Sequence, residues 1–99
     1  KAAVIALMKQ LALDYGADHI RSNAINADRI RSNLFGDGVL EARLKHRGLS
    51  ESAYFTGNLL GQEVLASDVA DAFFFLSQAK KTTGATLTVD GGNIGASAR

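Results

Sequence analysis

The run KAAVIALMKQLALDYG, residues 1–16, constrains this chain more than any other stretch. Val4, Met8, Leu11 and Tyr15 recur at helical spacing, while Ile5, Leu7 and Leu13 widen the apolar arc beyond one stripe. The spacing predicts a helix over Ala2–Tyr15, closed by Gly16 in the left-handed conformation that glycine tolerates. A helix apolar on most sides has to be covered on most sides. A chain of 99 residues offers little cover. At that length a single small domain hides only about 60–70% of its unfolded surface.

The rest of the chain alternates helices and strands. Ile20–Asn26 reads as a short strand, with Ile20, Ser22, Ala24 and Asn26 on one side, and residues 26–32 read as a loop. A second helix is expected from Asp37 or Gly38 to Arg47, with Lys45, His46 and Arg47 at the negative end of its dipole and Gly48 ending it. Ser50 suits the cap of a third helix over Glu51–Leu60, in which Gly57 is a weak point. Ser67 suits the cap of a fourth over Asp68–Ala79. There Val69, Ala72, Phe73 and Leu76 share a face, Phe74 and Phe75 broaden it, and Lys80 and Lys81 follow. Ala85–Val89 is a β-rich strand stopped by Asp90–Asn93. Two strands and about four helices, each strand following a helix, have the rhythm of a parallel α/β layer. Two strands are few for a sheet buried on both faces, so residues 1–99 read as one partial domain within a larger one.

Composition removes several functions. The net charge is +1 with acids and bases interspersed, which gives no electrostatic case for nucleic acid or an anionic membrane. There is no cysteine, so disulfides and thiolate metal sites are excluded. His19 and His46 stand far apart without partners at ligand spacing, so no metal site is expected. No apolar run reaches the roughly 18–20 residues that span a bilayer. The first residues lack a basic leader and a small-residue cleavage site. The expectation is a cytoplasmic protein with neither membrane nor nucleic-acid partners.

Four segments together carry a resemblance: KAAVIALMKQLALDYG, HIRSNAIN, SDVADAFFFLSQ and TGATLTVDGG. Their order and spacing resemble the C-terminal part of a short-chain dehydrogenase/reductase over almost the whole chain. The resemblance implies an α/β fold, the C-terminal portion of a doubly wound, Rossmann-like parallel sheet. Within it, VDGGNIGASAR and GVLEARLKHRGLSESAYFTGNLLGQEV are similar to the dehydrogenase domain of bifunctional aldolase/short-chain dehydrogenases of sugar catabolism. By this likeness Lys1 matches the lysine of Tyr-x-x-x-Lys. The tyrosine, the glycine-rich phosphate loop and the catalytic serine would then lie upstream, and the chain would be an inactive fragment.

Further implications follow from the same likeness. Two residues four apart share a helix face, so the lysine can lower the tyrosine's pKa and assist proton transfer during hydride exchange with NAD or NADP. Lys1 would also bond the nicotinamide ribose. The family pattern Asn-Pro-Gly-x-Ile-x-Thr falls on NADRIRS, placing Asn26, Ile30 and Ser32 at the cofactor. Ala27 replaces the proline and Asp28 the glycine, which removes one rigid φ and one permissive φ. Arg29 and Arg31 read as solvated charges, or as contacts to a phosphate-bearing substrate. Residues 33–62 would form the substrate loop over a small alcohol or carbonyl compound. The fourth helix and last strand would face another subunit of a homo-oligomer, with Gly91 and Gly92 as a turn near that interface.

Other motifs carry less. Gly36–Gly38 is G-x-G without a third glycine and reads as a helix-entry turn. Tyr15 and Tyr54 have no lysine four residues on and read as packing residues with a polar tip. The alternative to an oxidoreductase piece is a non-catalytic structural or oligomerisation module. A Tyr-x-x-x immediately before Lys1 and an upstream G-x-x-x-G-x-G would distinguish the two.

Overall fold

The computed structural model describes residues 1–31 and 38–94. Helix α1 spans Ala2–Tyr15, and strand β1 Ala24–Ala27 leads into β2, Ile30–Arg31. Helices α2, Val39–Arg47, and α3, Glu51–Phe55, precede strand β3, Val64–Leu65. Helix α4, Ala66–Gln78, then crosses over to strand β4, Thr86–Val89. The architecture is α/β with parallel pairing: β1 pairs with β4, Ala24 opposite Thr86 through Ala27 opposite Val89. Among the described residues the expected two strands become four. β2 and β3 form a second parallel pair of two residues each, with Ile30 opposite Val64 and Arg31 opposite Leu65.

Side chains define the start of β1. Arg21, Ser22 and Asn23 lie before it, although the alternation predicts strand from Ile20. Each turns its side chain to a neighbouring element. Ser22 Oγ donates to Met8 O at 2.9 Å, docking α1. Asn23 bridges to the approach of β4, donating from Nδ2 to Thr82 O at 3.0 Å and accepting at Oδ1 from Ala85 N at 3.1 Å. Arg21 Nη1 donates to Leu76 O at 2.7 Å and Ala79 O at 3.1 Å, with Nη2 on Ser77 O at 3.2 Å. A guanidinium thus satisfies the last carbonyls of α4, a role for which Lys80 and Lys81 are the sequence's nearer candidates.

Three helix ends differ from expectation. Gly16 is right-handed, at φ −59°, and the chain continues into a 3-10 turn closed by His19 at φ 63°. Helix α3 stops at Phe55; Thr56, its C-cap, donates from Oγ1 to Ser52 O at 2.7 Å, and the chain turns at residues 57–61. Helix α4 begins at Ala66, with Leu65 as its N-cap. Asp68 Oδ2 accepts from Leu65 N at 2.8 Å, so the first-turn carboxylate does the capping that Ser67 was expected to do. Ser50 caps α3 as expected, its Oγ accepting from Ala53 N at 3.1 Å. Gly38 and Gly48 flank α2 in the left-handed region.

The buried apolar set is Met8, Tyr54, Phe55, Val64, Ala72 and Leu76. On α1 only Met8 is buried, while Val4, Leu7 and Leu13 are 65%, 59% and 79% exposed. On α4, Ala72 and Leu76 face inward as expected, but Phe73 stands on the exposed side with Phe74 and Phe75. The radius of gyration is 15.8 Å, against about 13 Å for a closed domain of this length. The cover demanded by the apolar pattern of α1 is not supplied by the described residues. No helix among them is long and apolar enough to cross a membrane.

Candidate functional site

The strands bring the start of α1 to the end of β1. Lys1 is the N-cap residue of α1, and its Nζ donates to Ala27 O at 2.7 Å, across 26 residues of sequence. An ammonium has three donors, and this bond uses one. Lys1, Val4 and Ile5 line one wall of a cleft of about 200 Å³, whose other wall is Ala24, Ile25 and Asn26. Asn26 is buried, and its Oδ1 has no hydrogen-bond partner among the described residues. An orphaned acceptor of this kind is costly unless a ligand or another part of the protein reaches it. The structure thus brings Lys1 and Asn26 together. Ile30 opens β2 on the far side of a two-residue loop, Asp28–Arg29. Ser32, and Gly36 and Asp37 of the G-x-G turn, lie outside the described residues.

The β1–β2 connection is tied on every side. Asp28 Oδ2 accepts from Asn93 Nδ2 at 3.0 Å. Arg29 adopts φ 51°, and its Nη1 donates to Tyr54 O at 3.1 Å while the guanidinium lies 4.7 Å from the Tyr54 ring centre. Arg31 donates from Nε and Nη2 to the two Glu63 oxygens at 3.0 and 2.7 Å, pairs with Glu51 through Nη1, and lies over the Phe55 ring at 4.3 Å. Both arginines stay partly exposed, as a solvated charge would, but neither is free of protein partners. Carbonyl, ring and carboxylate partners from α3 and the approach to β3 engage them. Tyr54 is buried as a packing residue, whereas Tyr15 at the end of α1 is half exposed.

The Arg31 hydrogen bonds hold the Glu63 carboxyl below the ordinary value of 4.5, and the carboxylates raise the Arg31 guanidinium further above its own. Glu63 is the depressed member. Its contribution is fully present above pH 4.5 and is lost as pH falls through the lower folded value. We expect carboxyl NMR titration to give Glu63 a midpoint below 4.5 that returns toward 4.5 in Arg31→Met. An unshifted wild-type midpoint would show that the pair does not persist in solution. Among the described residues no cluster of three metal-ligating side chains occurs.

Residues 1–93 match the short-chain dehydrogenase family model described as enoyl-(acyl carrier protein) reductase. The chain belongs to the short-chain dehydrogenase/reductase family. It is 32% identical over 94 residues to (+)-borneol dehydrogenase 1 of Salvia officinalis, covering 93% of this chain and 35% of that protein. Among solved structures it is similar to a small-chain dehydrogenase in complex with NADPH, at 28% identity and a TM-score of 0.74, covering 92% of this chain and 39% of that one. It is also similar to 4-hydroxyisoleucine dehydrogenase complexed with NADH, at 26% identity and a TM-score of 0.69, covering 97% and 37%. The chain spans about a third of the length of the curated relatives it matches. As a short-chain dehydrogenase/reductase segment, it brings the start of α1 and strand β1 together around one cleft, with β4 paired alongside β1.

Proposed function

We propose that the protein to which these residues belong is an NAD(P)-dependent oxidoreductase interconverting an alcohol and a carbonyl, and that this segment forms one wall of its nicotinamide site. The observation that carries the reading is that Lys1 and Asn26 line one cleft beside the β1–β2 loop, with Asn26 Oδ1 buried and without a partner among the described residues. Two ammonium donors and a buried acceptor that have no partner among the described residues suit a ligand with ribose hydroxyls. The backbone of Ile30 and the hydroxyl of Ser32 suit a carboxamide. A bound nicotinamide dinucleotide supplies the hydride acceptor or donor. Lys1 would orient the ribose and lower the pKa of a tyrosine four residues before it, which exchanges the substrate hydroxyl proton.

Residues 33–62 would cover the substrate. The likeness of VDGGNIGASAR and of residues 38–64 to bifunctional aldolase/short-chain dehydrogenases favours a hydroxyaldehyde or sugar derivative. The Ala66–Gln78 helix and the Thr86–Val89 strand would form a homo-oligomer contact. Phe73, Phe74 and Phe75, at 62%, 68% and 58% exposed, leave large aromatic surface on this helix for a partner to cover.

Binding separates this reading from a purely structural module. The intact protein should quench or enhance reduced-dinucleotide fluorescence saturably, whereas residues 1–99 alone should show no micromolar dissociation constant for NAD by calorimetry. Tight binding by the short chain, or none by the intact protein, contradicts the proposal. Phe74→Asp should lower the sedimentation coefficient of the intact protein; an unchanged value would remove the helix from the contact.

A further inference from the structure

We propose that Asp28 and Asn93 form a latch that holds the β1–β2 loop in its binding conformation, and that Asp28 is thereby a positioning residue for the dinucleotide. The cofactor half of this rests on the function proposed above. The loop holds Arg29 at φ 51°, in the left-handed region that a residue with a Cβ leaves unless its surroundings hold it. Two side-chain tethers do so. One is Arg29 Nη1 on Tyr54 O at 3.1 Å; the other is Asn93 Nδ2 on Asp28 Oδ2 at 3.0 Å, joining residues 65 apart. The second is charge-assisted and half-buried, which makes it the stronger kind of neutral-donor bond.

Asn93 is itself fixed. The buried carboxylate of Asp90 accepts from Gly92 N at 2.9 Å and Asn93 N at 3.3 Å. The turn is backed by Leu59 N on Gly92 O at 2.8 Å and Leu60 N on Gly91 O at 3.0 Å. Gly91 is required here, because at φ +68° a Cβ would lie 2.5 Å from the Asn58 side chain. Asn58 cannot move aside cheaply, since its Nδ2 donates to Gln62 O at 2.7 Å. The latch therefore connects the loop to a turn that is held from two sides. Releasing it lets Arg29 relax and moves the backbone of Ile30, without removing any group proposed to touch the dinucleotide.

The test uses the intact protein with NADH and NADPH as probes. Asp28→Ala should weaken dinucleotide binding by roughly five- to tenfold, the scale of losing a charged-acceptor hydrogen bond at a partly exposed site. Asn93→Ala should weaken binding at least as much, and the double variant should be no worse than Asn93→Ala, because the latch bond is already lost there. The exchanged pair, Asp28→Asn with Asn93→Asp, rebuilds the bond in reverse and should recover most of the affinity. Amide exchange should quicken at residues 27–31 in Asp28→Ala, with little change in α1 or α4. Wild-type affinity in the single variants, or losses that multiply in the double, overturns the latch. If the wild type binds neither dinucleotide, the functional reading fails instead. Exchange then decides the latch alone: local quickening supports it and an unchanged loop overturns it.

Discussion

Replacing Lys1 with Met in the intact protein should lower kcat/KM for alcohol oxidation by about 100- to 1,000-fold, the range expected when a positioned electrostatic and proton-transfer partner is removed. Lys1 Nζ donates to Ala27 O at 2.7 Å, which tethers the ammonium beside the cleft that Lys1 shares with Asn26. Methionine keeps much of the apolar stem and removes the charge and all three donors. Two losses follow. The loop end at Ala27 loses a tether, and the tyrosine proposed one helical turn away loses the cation that favours its phenolate. The second loss has a signature. Without the cation the tyrosine pKa rises, so the rising limb of the pH–rate profile should move to higher pH, and part of the lost rate should return there. Lys1→Arg keeps the charge and should retain the position of that limb, even where its bulk lowers the rate. An unchanged limb in Lys1→Met, with the rate lost only through KM, would reduce Lys1 to a binding contact.

The sequence made the long elements legible and the short ones not. Helices α1 and α4 announce themselves through apolar residues at helical spacing, and β4 through the β-branched and leucine run of residues 86–89. Strands β2 and β3 have two residues each, too few for any period, and exist because parallel pairing aligns Ile30 with Val64 and Arg31 with Leu65. The cap of α4 is ambiguous in the sequence: Ser67 and Asp68 are both good first-turn residues, and which one reaches back depends on the path of Leu65. Lys1 and Asn26 are singled out only by family likeness, and nothing in the local sequence pattern shows that they line one cleft. The partners of Arg31 were out of reach, because Glu63 lies 32 residues on with no local pattern linking them. Asn93 was legible as part of a strand-ending turn, but not as the residue that meets Asp28.

Phe55→Ala should cost the intact protein about 3–5 kcal/mol, the range for deleting a buried aromatic ring. Phe55 is 1% exposed, the most deeply buried large side chain among the described residues. Its ring meets that of Tyr54 edge-on, with centroids 5.1 Å apart, and carries the Arg31 guanidinium on its face at 4.3 Å. The ring therefore ties the short helix α3 to β2, and through the Glu63 partner of Arg31 to the approach of β3. Helix α3 spans only five residues, too few to hold its shape without such packing. Its loss should thus be local before it is global. Amide exchange over residues 50–60 should rise first, followed by a lower urea midpoint at fixed protein concentration. Phe55→Leu refills part of the volume and should recover about half of the loss, while leaving the guanidinium without an aromatic face. A loss below about 1.5 kcal/mol in Phe55→Ala, outside the range for a sealed aromatic site, would mean that the α3 region is not packed in solution as described.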